Sequence, residues 1–416
     1  MSQRLDIIAR RILARDAGMF EVDLSRRAAD ISERVKNRRI LAIGAAGSIG
    51  SNTVLVLSGF APACIHVIDQ NENALAELVR QIRSAAHPFA VEDFKTLPLD
   101  YGSTALRYFL ASEKPYDLVL NFAAIKHVRS EKDPFSTLQM FDTNILKQAR
   151  LLGWLADANF KGRYFSVSTD KAANPASMMG ASKRIMEHIM FSDATTKGLT
   201  GPITAARFAN VAFSNGSLLE SFVNRMQRRE PISCPRDISR FFVSLKESGQ
   251  ICCLAATLLD DRYICVPKLE PAKHLRLLTD ILTEFLDAYG FEPEIHETVA
   301  AAHAALPSST ENGRWPVILT PPDTAGEKPY EEFVAAGETA EDVGLNSLNA
   351  IRYHPVNGKL ITEMLEEVEA LLRPTHPDAV IGKALNKSTF KKLIAKIEPE
   401  FARSHVEREK NLDERA

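Results

Sequence analysis

The chain has 416 residues, a formal net charge of -2 and 45% apolar residues, which fits a globular domain with additions and gives no global field to draw it to nucleic acid. No apolar run is long enough to cross a bilayer and no signal peptide opens the sequence, so a cytoplasmic location is expected. Cys64, Cys234, Cys252, Cys253 and Cys265 are scattered and odd in number; with no Cys-x-x-Cys or Cys/His motif, free thiols and no metal site are expected.

Residues 1–36 read as an N-terminal helical extension. "RLDIIARRILARDAG" puts Leu5, Ile8 and Ile12 on one face and Arg4, Arg11 and Arg15 largely on another. A single short basic helix binds membranes weakly, so packing on the body or on a partner subunit is the preferred reading. From residue 38 short β-branched runs take over: "RRILAIGAAG", "CIHVIDQ", "YDLVLNFAA", "RYFSVST" and "TAARFANV", with helical stretches between them. That alternation predicts an α/β fold, a Rossmann-type doubly wound parallel sheet over 37–215. "DRYICVPKL" reads as a strand returning to the sheet edge, so 238–268 rejoin that domain. The proline-rich stretches in 216–237 and 269–360 predict a smaller substrate-binding region. Residues 361–416 predict a C-terminal helical extension whose mixed charges form a solvated face.

"ILAIGAAGSIGSNTVLVLSG" runs strand, glycine loop, helix. Gly44, Gly47 and Gly50 supply a tight turn, a close approach of backbone to a pyrophosphate and close helix–strand packing, and Ser48 and Ile49 open the helix. A lone glycine triplet is a weak signal; here it follows a strand and has an acid at the right distance. Asp69 ends the second strand, where a carboxylate accepts both adenosine ribose hydroxyls and repels a 2′-phosphate, favouring NAD over NADP. Asp100 ends the third strand and can reach adenine or simply serve a turn. Ala123 and Ala124 close the fourth, small enough for a cofactor to lie against the backbone. Lys126 and His127 follow and can reach the same site, although a lone histidine is more often structural.

"STDKAANPASMMGASKR" carries the chemistry. Met179 and Lys183 are one helical turn apart, where many nucleotide-dependent oxidoreductases have Tyr-x-x-x-Lys. Thr169, Asp170 and Lys171 stand ahead of them. Unaided, such a triplet reads as a polar strand end capping the next helix; Met179 reads as a core methionine and Lys183 as a surface lysine.

In order, "GAAGSIG", "NFAAIKHV", "STDKAANP", "MGASKR", "ARFANVAFSNGS", "SRFFVSL", "VPKL" and "GEKPYEE" resemble the UDP-N-acetylglucosamine 4,6-dehydratases, the polysaccharide-biosynthesis branch of the extended short-chain dehydrogenases/reductases, over roughly residues 38 to 335. The resemblance implies an NAD-dependent lyase and a homo-oligomer. The sugar's carbon-4 hydride passes to NAD, the carbon-5 proton becomes acidic, water leaves from carbon 6, and the hydride returns there. It makes Asp170 the general acid, Lys171 the base at carbon 5 and Thr169 a hydrogen-bond partner of oxygen 4. A lysine base at neutral pH needs its pKa lowered by about three units. Lys183 keeps its hold on the nicotinamide ribose, but Met179 cannot take the oxygen-4 proton, which leaves Asp170, Lys171 or a relayed water for that task. Asn210, Arg240 and Glu327 match positions facing the nucleotide sugar. The relatives' Arg-Pro-Gly-Glu-Lys reads Thr324-Ala325-Gly326-Glu327-Lys328 here, so one phosphate or base contact is missing. A nucleotide-sugar 4-epimerase is the rival enzyme, but it depends on the absent tyrosine. A non-catalytic NAD-binding scaffold is the rival outside enzymes.

Overall fold

The computed structural model describes the chain except residues 1, 14, 16–17, 85–88, 90, 127–130, 132, 322–329, 374–384 and 406–416. His127 and Glu327 therefore lie outside the described residues. In chain order the strands are β1 (Arg39–Ile43), β2 (Cys64–Ile68), β3 (Asp93–Leu97), β4 (Leu118–Asn121), β5 (Arg163–Val167), β6 (Ile203–Ala206), β7 (Asn210–Val211), β8 (Ile232–Pro235), β9 (Ser239–Val243), β10 (Tyr263–Pro267), β11 (Leu275–Leu277), β12 (Glu292–Ile295), β13 (Arg314–Thr320), β14 (Ala340–Asp342) and β15 (Leu348–Arg352).

Nine of them form one sheet in the order β14-β15-β10-β6-β5-β4-β1-β2-β3. β1 to β6 and β10 pair in parallel, and β15 and β14 add antiparallel strands at one side. Parallel strands need both faces covered, and β2 and β4 are buried along their whole length. The order reverses between β1 and β4, and crevices at such a switch point open beyond the carboxyl ends of the strands. Gly44 and Ala123 follow those two ends, which fixes where a nucleotide would sit. β10 is an interior strand, contrary to the edge position expected for it. "LNAIR" pairs against it through β15, so 340–352 belong to the main sheet rather than to the substrate region.

The glycine-loop helix Ser48–Ser58 is held from outside by helix Leu245–Leu258. A Cβ on Gly249 would lie 2.6 Å from backbone atoms of Asn52, so only glycine lets the two helices approach this closely. Ser244 and Glu247 form a reciprocal capping box at the start of that outer helix. β8, β12 and β13 make a separate three-stranded parallel sheet, and β7, β9 and β11 a second small one. Around them a distinct apolar core gathers Phe222, Phe285 and Trp315.

The N-terminal extension packs on the body, and it does so in two places. Ile8 and Ile12 of helix Ser2–Leu13 are buried in the smaller core, and Arg11 meets Asp287 at 3.1 Å. Phe20, Ile31 and Val35 instead join the core under the main sheet. The C-terminal part holds helices Gly358–Leu372, Lys387–Ile397 and Phe401–Ser404. Their charges are not all solvated, contrary to expectation: Glu398 binds Arg184 and His188.

Candidate active site

The glycine loop leaves β1 with Gly44 at φ +68, and a Cβ there would lie 2.5 Å from Ala123 N. One on Gly50 would lie 2.4 Å from Ala45 Cα. Packing within the chain thus accounts for both glycines. Gly47 is different: a Cβ there meets nothing closer than Gly44 O at 3.5 Å. Among the described residues nothing demands that glycine, and it stands at the N-cap of Ser48–Ser58, where first-turn N–H groups and the helix dipole favour an anion. A pyrophosphate lying on the backbone is the occupant that would need it. Ile49 is partly buried against the core under the main sheet.

Asp69 is at the mouth of this loop. Its Oδ2 accepts from Ala46 N at 3.2 Å and its Oδ1 from Asn71 N at 2.9 Å. Asp100 lies three residues beyond β3 and has both oxygens engaged, by Gly102 N at 2.9 Å and Lys147 Nζ at 2.6 Å, in the turn role. Ala123 and Ala124 follow β4, with Ala123 N donating to Asn121 Oδ1 at 3.0 Å. Lys126 Nζ donates to Asn215 O at 3.0 Å, while Asn215 N donates to Ser48 Oγ at 2.9 Å. Burial lowers the Lys126 pKa, with Glu220 acting the other way.

Beyond β5 the chain turns sharply. Thr169 caps a single 3-10 turn over Asp170–Ala172, and its hydroxyl donates to Asp170 Oδ1 at 2.6 Å. Lys171 Nζ lies 3.1 Å from Asp170 Oδ2. The two differ in exposure: Asp170 is 7% exposed and the Lys171 side chain 43%. Helix Met178–Phe191 follows, with Ser177 as its N-cap. A Cβ on Gly180 would lie 2.5 Å from Lys171 O, so the turn rests on the helix with no space between them. Met179 is buried in the main core and its N–H donates to Glu131 Oε1 at 2.9 Å. The core reading thus describes its packing, one turn from Lys183.

Lys183 is not a surface lysine. It is 4% exposed, and its Nζ donates to Val167 O at 2.7 Å. Burial lowers its pKa to about 8, opposed by Glu187. Asn210 and Arg240 meet on one carboxylate that the sequence reasoning missed. Glu331 accepts from Asn210 Nδ2, from Phe241 N at 3.1 Å and from Arg240 Nε at 3.2 Å. Burial raises the Glu331 pKa; Arg240 opposes this and Asp170 adds to it. The signal was present in "GEKPYEE", where the acid pair follows the stretch that drew attention. Glu187 was missed as well: it accepts from Ser168 Oγ at 2.6 Å and from Arg207 at 2.8 and 2.7 Å. A glutamate inside a helix that is otherwise buried all round was its signal.

Among the described residues, Cys64, His66 and Asp93 bring possible metal-ligand atoms within 4.8 Å of one another. Motif spacing had shown no such group. It lies at the amino ends of β2 and β3, away from Gly44. Arg39 and Lys95 reach the same Asp93 carboxylate at 3.5 and 3.8 Å, and burial pushes the Cys64 thiol up to about 12. Two cations and a protonated thiol oppose a divalent ion, so no metal centre is assigned there.

Sheet order, switch point and glycine loop define a Rossmann-type fold. The chain belongs to the family described as "Polysaccharide biosynthesis protein", which it matches over residues 40–352. An uncharacterized membrane protein of Methanocaldococcus jannaschii is 28% identical over 88% of this chain and 98% of its own. The capsular polysaccharide biosynthesis protein CapD of Staphylococcus aureus is 29% identical over 55% of this chain, but this chain spans only 37% of its length. Pen from Bacillus thuringiensis superposes with a TM-score of 0.60 at 20% identity, covering 80% of this chain and 98% of that one. A UDP-glucose 4-epimerase of Thermotoga maritima gives 0.51 at 17% identity, covering 71% and 90%. No helix among the described residues is long and apolar enough to cross a membrane.

Proposed function

We propose that this protein is an NAD-dependent 4,6-dehydratase of a nucleotide-activated N-acetylhexosamine, UDP-N-acetylglucosamine, and makes a 4-keto-6-deoxy sugar for surface glycans. The observation that carries it is the Asp170–Lys171 contact of 3.1 Å at the carboxyl end of β5, on the turn that leads into the helix bearing Lys183. Gly44, Gly47, Ser48, Gly50, Asp69, Ala123 and Lys183 would hold NAD; when bound it supplies a hydride acceptor that gives the hydride back within the turnover.

Thr169 Oγ1 already donates to Asp170 Oδ1. That bond offers the oxygen-4 proton a path to Asp170, which replaces the missing tyrosine in this role. Asp170, now a carboxylic acid, gives the proton to the carbon-6 hydroxyl, which leaves as water. Lys171, as the amine, takes the carbon-5 proton and returns it there once carbon 6 has been reduced. Asn210 and Arg240, fixed by Glu331, face the nucleotide, where the planar guanidinium suits a diphosphate.

An epimerase has no use for the acid–base pair. Incubating the protein with NAD and UDP-N-acetylglucosamine and weighing the product separates the two: loss of one water is expected, and an isobaric product would make it an epimerase.

A further inference from the structure

The C-terminal helices lie past residue 352, beyond the family match, yet they reach the catalytic turn. Phe390, Leu393, Ile394 and Phe401 are buried in the main core, which fastens the pair to the body. Glu398, between the two helices, has Oε1 3.3 Å from Arg184 Nε and 2.5 Å from His188 Nε2, both on the helix that carries Lys183. Ser404 Oγ donates to Pro175 O at 3.0 Å, and His405 Nδ1 lies 2.9 Å from Ala176 O. These two carbonyls belong to the loop that joins Asp170–Ala172 to that helix. From its other side the loop is held by Asn174, which donates to Glu332 Oε2 at 2.9 Å and accepts from Ala336 N at 3.1 Å. The contact at Gly180 leaves no slack, so a shift of the helix moves Lys171.

We propose that residues 385–405 are a positioning strap for the active site: Glu398 fixes the Lys183 helix, and Ser404 and His405 fix the loop behind Asp170 and Lys171. A catalytic pair misplaced by a fraction of a contact distance loses rate while binding persists. The kinetic part of this rests on the proposed dehydratase reaction; the structural part does not.

The test compares full-length Glu398→Ala and Ser404→Ala/His405→Ala with wild type, using NAD as the ligand. Amide hydrogen exchange across residues 172–184 is expected to quicken about tenfold or more in each, and kcat to fall about tenfold or more with KM for the sugar nucleotide within about threefold. Glu398→Gln keeps an acceptor oxygen for Arg184 and His188 and should recover part of the loss. Asp23→Asn is the control. Its carboxylate accepts from Asn346 N and Ser347 N at 2.8 Å, far along the chain, so it should lower Tm without quickening exchange at 172–184. Unchanged exchange there in both strap variants, or equal quickening in Asp23→Asn, overturns the strap. If wild type dehydrates no sugar nucleotide, the dehydratase reading fails, and the exchange data alone decide the strap.

Discussion

Two side chains carry the proposed chemistry, and each has a variant that isolates it. Lys171→Met removes the base and Asp170→Asn the acid; each should cut turnover about a hundredfold or more with NAD binding retained. Near-normal product formation by both would remove the pair from the reaction. Lys183 makes a different prediction. Burial holds its pKa near 8, well under the ordinary 10.5. Its ammonium form exists below that value, so raising the pH through about 8 discharges the group that would bind the nicotinamide ribose. NAD affinity, titrated from pH 7 to 9.5, should weaken about tenfold in wild type and stay flat in Lys183→Met; a flat wild-type profile would place the lysine away from the cofactor. Asp170 and Lys171 were singled out by the resemblance their motif carries and Lys183 by its place one turn after Met179; on their own they read as a helix cap and a surface lysine. Glu331 offered only the acid pair in "GEKPYEE"; its meaning comes from Asn210 and Arg240, which reach it from distant parts of the chain. The same holds for the burial of Lys183, which a helix read in isolation presents as a surface residue.

At the scale of elements, the three loop glycines look alike in sequence and differ in the fold. Gly50→Ala would drive a Cβ to 2.4 Å from Ala45 Cα, between backbones that cannot both give way. It should destabilise the protein by roughly 1–3 kcal/mol, read as a lower Tm. Gly47→Ala meets only an ordinary contact, Gly44 O at 3.5 Å, so its stability should change by no more than about 1 kcal/mol while NAD affinity falls, as calorimetry of binding would show. A large Tm loss in Gly47→Ala with unchanged NAD affinity would exclude that residue from the pyrophosphate site. Most strands of the main sheet and the glycine loop were legible from residue patterns, since parallel strands buried on both faces are nearly continuous apolar runs. Element order in space was less so: β10 becomes interior because "LNAIR", an unremarkable stretch in sequence, folds back beside it. Nothing in the local pattern of "YICVP" records that partner.

Across the whole molecule, one buried network joins parts the sequence keeps far apart. Arg207 is fully buried and reaches both Glu187, at 2.7 Å, and Glu338, at 2.6 Å. Arg184 meets Glu338 at 2.7 Å and connects onward to Glu398 of the C-terminal segment. Sheet, helix Met178–Phe191 and C-terminal segment are therefore tied through charges that cannot be removed singly: Arg207→Met takes from Glu187 and Glu338 one of the two arginines they share, leaving Arg184, and should cost about 3–5 kcal/mol. The network also sets acid stability. Against the cost of burial, Arg207, Arg184 and Ser168 hold the Glu187 carboxyl at about 2, below its ordinary 4.5. A carboxylate with a depressed pKa in the fold stabilises it above the unfolded value, and that contribution drains away as the pH falls from about 4.5 towards 2. The shift corresponds to about 3 kcal/mol for this one group. Denaturant unfolding followed from pH 7 to 3 should therefore show wild type losing stability steeply below pH 4.5. Glu187→Gln should start lower at pH 7 and lose less over the same range. Parallel curves would mean that the network does not control the acid limb, and that other carboxylates, such as Glu338 or Glu398, whose pKa values are also lowered by these arginines and His188, govern it instead.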